Sequence, residues 1–90
     1  MPDLPRFEII REPEFEEQLE RLFGDMAEAD NFTLGAEFIL AREPRDGVPA
    51  SRDGSIWYLP MNQLRGRAVS LYYTFDERAV TFLFIVAFDG

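Results

Sequence analysis

The chain contains no cysteine, no histidine and no lysine. Without cysteine there is no disulfide and no thiolate metal site, and redox chemistry says nothing about compartment. Without histidine the commonest general base, metal ligand and near-neutral pH switch are all missing. Without lysine there is no Schiff-base amine and no phosphate-loop lysine, so all nine basic residues are arginine. The chemistry left belongs to Asp, Glu, Tyr, Ser, Thr and Arg, and no cofactor is expected. No apolar run approaches the length of a membrane span, since the longest, residues 80–88, suits one strand. The opening Met1-Pro2-Asp3-Leu4-Pro5 lacks the basic flank and apolar stretch of a signal peptide, so a cytoplasmic location is expected.

What is present is acid and aromatic carbon. Ninety residues carry a net charge of −8, with 47% hydrophobic and 14% aromatic residues. That length makes one domain with a single modest core. Nine of the thirteen aromatics are Phe, which has no polar handle and suits a core. An acidic total disfavours nonspecific binding to nucleic acid, where counterion release rewards basic patches, and favours a basic protein partner.

Along the chain, Arg6–Arg11 mixes β-branched and aromatic residues between charged ends and reads as a first strand. Glu12-Pro13-Glu14 opens a helix, because proline and acids are both favoured in a first turn. Apolar residues at 15, 19, 22 and 23 keep helical spacing up to Gly24. A second helix follows, capped by Asp25 or beginning near Asp30, and runs to about Ala41. Residues 43–53 form a long proline- and glycine-bearing loop, a candidate mobile or functional segment. Ser55–Leu59 reads as a strand ending at Pro60. Arg65-Gly66-Arg67 occupies the next turn. Ala68–Phe75 is a strand with Val69, Leu71, Tyr73 and Phe75 on one face, and Asp76-Glu77-Arg78 is a hairpin turn. Residues 80–88 are apolar on both faces and call for cover on both sides. The expected fold is α+β, β-α-α-β-β-β, with a four-stranded antiparallel sheet packed on a helical hairpin. The first strand can pair antiparallel with the second or the fourth.

This order over about 90 residues resembles the RelE/ParE family of bacterial toxins. Pro13-Glu14-Phe15-Glu16 resembles the family's opening of the first helix. Pro44 with Gly47 and Gly54 resembles its loop before the second strand. Leu71-Tyr72-Tyr73-Thr74-Phe75-Asp76-Glu77 resembles its third strand, and Val80-Thr81-Phe82-Leu83-Phe84-Ile85 its apolar fourth. The chain departs from the ribonuclease members of that family. Ser70 stands where an arginine is usual before the strand tyrosine, Pro60 stands where a basic residue is common, and Phe88-Asp89-Gly90 follows the last strand without a cation. The resemblance therefore implies a toxin-type protein that contacts an antitoxin or target, as the gyrase-directed branch does. A ribosome-dependent mRNA endoribonuclease using Arg52, Arg65, Arg67 and Tyr72 is the alternative, with nucleic acid met only through the ribosome. A third reading is an acidic binding module with no toxin role.

Each candidate residue also has a plainer reading. Arg52, Arg65 and Arg67 could gather an anion, or simply be solvated turn charges. Tyr72 shares its face with Ser70 and Thr74 and could offer a hydroxyl, or be a half-buried strand residue. Trp57 and Tyr58 are the best interface anchors by residue type, though Trp57 also suits the core. The acids Glu12, Glu14, Glu16, Glu17 and Glu20 read chiefly as a solvated helix face. Homodimerisation is expected from the excess apolar surface of the last strand.

Overall fold

Proline at the first helical position and acids in the first turn start a helix at Pro13–Leu22 (α1), whose Phe15 and Leu19 turn inward. Phe23 and Gly24 break it, and the Asp25 carboxylate accepts from the Ala27 N–H at 2.8 Å to cap a second helix, Met26–Leu40 (α2). The computed structural model describes residues 7–64 and 67–89. Strands run Glu8–Arg11 (β1), Val48–Pro49 (β2), Trp57–Leu64 (β3), Arg67–Phe75 (β4) and Ala79–Asp89 (β5). They form one sheet in the order β1-β5-β4-β3-β2.

The α+β class agrees with the sequence, while the sheet differs from expectation in two ways. It has five strands, because the loop before β3 contributes β2. It is also mixed: β1 lies parallel to β5, with Ile9 opposite Val80. The cause is where α2 ends. The Ala41 carbonyl accepts from the Phe7 N–H, so the helical hairpin brings the chain back to the start of β1. β3 therefore sets off in the same direction as β1, and after one reversal through β4 so does β5. Antiparallel pairing of the first strand with either expected partner is excluded by that geometry.

Residues 43–53 are pinned rather than loose. Pro44–Asp46 form a 3-10 turn, Val48 and Pro49 pair with Tyr58 and Trp57, and the Tyr73 hydroxyl donates to the Pro44 carbonyl. Pro60 does not end β3, which continues to Leu64. β2 covers only the first two residues of β3, so among the described residues Pro60 sits where the outer edge has no partner strand, and proline is tolerated there. The Arg65-Gly66 part of the expected turn lies outside the described residues.

The helices lie on one side of the sheet. Phe15, Leu19, Phe23, Ala36 and Leu40 form a single cluster with Leu71, Tyr73, Val80, Phe82 and Ile85, and Phe15 meets Phe82 edge-on at 5.2 Å. β5 is longer than β1, and its N–H groups beyond Phe82 need another acceptor. At Ile85 that acceptor is the Gln18 side-chain carbonyl of α1. Arg11 ties the layers together through Glu37 of α2.

Candidate functional site

Alternation along the strands sends every second side chain away from the helices. On β4 those residues are Ala68, Ser70, Tyr72 and Thr74. Tyr72 lies opposite Tyr58 of β3 and Phe84 of β5. The three rings stack in a row across the sheet, with centroids 5.4 Å apart for Tyr58–Tyr72 and 4.8 Å for Tyr72–Phe84. All three are half-buried. Among the described residues no helix lies over them.

A register shift makes this row possible. Tyr72 pairs with Phe84 and Tyr73 with Phe82, so Leu83 is an extra residue in β5. Before it, Val80 and Phe82 face the core; after it, Ile85 does. Without the shift Phe84 would fall on the helix side. The same face carries Val86 and, at its margins, Ile10, Val48 and Phe88, which are three of the six large apolar residues left exposed. Glu8 is the only charged residue on this face among those described.

Of the sequence candidates, Tyr58 and Tyr72 meet directly on this face. Phe84 joins them and was not singled out as a site residue. The signal was present, since residues 80–88 are apolar at both parities. Trp57 lies on the opposite side: its ring meets Phe75 at 5.5 Å and its Nε1–H donates to the Gly54 carbonyl at 2.9 Å. It is partly buried and packs against the core cluster.

Of the candidate arginines, the Arg52 position and the Arg67 backbone lie near opposite ends of β3. Arg52 is exposed in the turn before β3, which Ser51 holds at that end through the Ile56 carbonyl. Arg67 pairs with Leu64 at the far end of β3, and eight strand residues span roughly 23 Å. Arg65 lies outside the described residues, as does the side chain of Arg67. Glu12, Glu14, Glu16, Glu17 and Glu20 are all solvent-exposed. Among the described residues no cluster of acids has the grouping that would hold a metal.

Two environments shift protonation. Burial pushes the Tyr73 hydroxyl up to about 12, beside the Gly47 backbone and Asp46. In the turn before β3, hydrogen bonds from the Ser51 and Ser55 hydroxyls and the Ser55 N–H lower the Asp53 carboxyl to about 2. Both groups hold loops in place and neither faces the aromatic row. The helix-free face thus offers a nearly uncharged contact surface. No helix among them is long and apolar enough to cross a membrane. No family model, no curated protein and no solved structure matches this chain.

Proposed function

We propose that this chain is a RelE/ParE-like toxin-type protein that works in the cytoplasm by contact with another protein, an antitoxin or a cellular target, through the helix-free face of its sheet. The observation that carries this reading is the stacked row Tyr58–Tyr72–Phe84 on a face whose only described charge is Glu8. Aromatic residues supply large contact area at low entropic cost and dominate the energetic centres of protein interfaces. The element order of strand, two helices and an antiparallel strand run supports the toxin-type assignment. Contact rather than catalysis is favoured because the described aromatic row carries no cation, and Arg52 lies in the turn before β3, away from the end of that strand where Leu64 pairs with Arg67.

Induced expression with growth and translation readouts tests the reading. Growth arrest by the wild-type chain, relieved by Tyr72→Ala or Phe84→Ala at equal folded protein level, is the expected outcome. Expression without any effect on growth or translation would discard the toxin assignment. An arrest accompanied by mRNA cleavage that Arg52→Ala abolishes would favour the endoribonuclease instead.

A further inference from the structure

We infer that the helix-free face is first occupied by a second copy of this chain, the two sheets packing face to face about a two-fold axis close to Tyr72. The inference rests on the proposed reading of this face as a protein-docking surface, and it names the occupant.

Charge separates the possible partners. The chain carries 17 acids against nine arginines, yet the face holds only Glu8 among its described residues. A basic partner would be drawn to the acidic helices, and nothing on this face attracts it. A second copy is repelled by every acidic surface and meets least repulsion here. Burying this face against its own copy leaves α1 and α2, with Glu14, Glu17 and Glu20, on the two outer sides of the assembly, separated by both sheets.

Size and symmetry agree. Strands of four, eleven, nine, eight and two residues lie side by side. At ~3.3 Å per residue and ~4.8 Å between strands they project to about 500 Å² before side-chain relief is counted. That is of the order of the roughly 800 Å² of accessible surface per partner in a stable interface. Tyr72 lies mid-way along β4, the third of five strands. A two-fold placed there sets each aromatic row against its counterpart, in the aligned packing of a β-sandwich.

Sedimentation velocity on the full chain tests this. At about 10 μM, within reach of an interface of this size class, the wild type is expected to be a dimer. Tyr72→Arg places two like charges at the axis and is expected to give a monomer with unchanged circular dichroism. If that variant fails to fold, Phe88→Arg serves, because Phe88 is 51% exposed at the margin; at least tenfold weaker dimerisation is expected. Raising NaCl from about 0.05 to 0.5 M should tighten the dimer, because screening relieves repulsion between acidic copies. A wild type monomeric to about 200 μM overturns the inference, as does a dimer undiminished in folded Phe88→Arg or one that salt dissolves. A monomer that still arrests growth would sink the dimer and leave the proposed function standing; a dimer without arrest would do the reverse.

Discussion

The buried hydroxyl of Tyr73 donates to the carbonyl oxygen of Pro44, joining the middle of β4 to a turn 29 residues earlier in the chain. Through this bond the loop before β3 lies against the sheet, and the start of β3 is placed so that Tyr58 stands beside Tyr72.

Tyr73 therefore sets an alkaline limit. Its folded-state pKa is raised from 10 to about 12, so the neutral form is favoured in the native protein. The associated stability is complete below pH 10 and is lost as pH rises from 10 to 12, by about 3 kcal/mol in all. Tyr73→Phe should cost about 1 kcal/mol near neutrality, for the lost hydrogen bond. Denaturant titrations of both proteins from pH 8 to 12 should show a shallower decline in the variant. Parallel decline would disprove the assignment.

Gly47 is required for space. A Cβ there would lie 2.6 Å from the Tyr58 carbonyl oxygen and collide with the Tyr73 hydroxyl, and backbone cannot swing aside as a flexible side chain can. Gly47→Ala should cost about 3 kcal/mol. Because it pushes on Tyr58, it should also perturb near-ultraviolet ellipticity. A variant as stable as wild type would show that the loop shifts freely.

Asp53 sets an acid limit in the turn before β3. Its carboxyl lies below its ordinary value, at about 2, so its contribution is present above pH 4 and vanishes as pH falls towards 2. Asp76 is shifted in the same direction by the Arg78 and Ala79 N–H groups, at the turn between β4 and β5. Asp53→Ala should flatten part of the fall in thermal midpoint between pH 5 and 2. Asp53→Ala combined with Asp76→Ala should flatten more of it. Curves that keep the wild-type slope would exclude both turns as the acid-sensitive elements.

Gln18 is the acceptor for the Ile85 N–H of β5, which no strand among the described residues reaches. Gln18→Leu keeps the bulk and strands the Ile85 N–H, at a cost of about 1–3 kcal/mol. Amide exchange at Ile85 should accelerate more than at Leu71, which lies opposite it on β4. Equal acceleration at both would mean global destabilisation only.

Much of this fold is legible in local pattern. The spacing of Phe15, Leu19, Leu22 and Phe23 and the break at Gly24 mark α1, and the alternation of Val69, Leu71, Tyr73 and Phe75 marks β4 and its buried face. The pairing of β1 is not legible, because it depends on where α2 delivers the chain, a matter of helix length and packing that no strand records. Pro60 misleads for a related reason: proline ends a central strand but survives on an edge, and edge status is a property of the sheet. At the site, Tyr58 and Tyr72 stand out by residue type. Phe84 is hidden by the extra residue Leu83, since a strict two-residue period starting from Val80 and Phe82 assigns Phe84 to the core.

The pairing of Ile9 with Val80 ties together residues 71 positions apart. Non-local closure of this kind is slow, since the entropy of a long loop is spent before any contact rewards it. During synthesis β1 must wait, unpaired, until β5 has left the ribosome. Throughout that interval Ile9 and Ile10 of β1 have no partner strand, which makes emerging chains the form most open to capture by a chaperone or by one another.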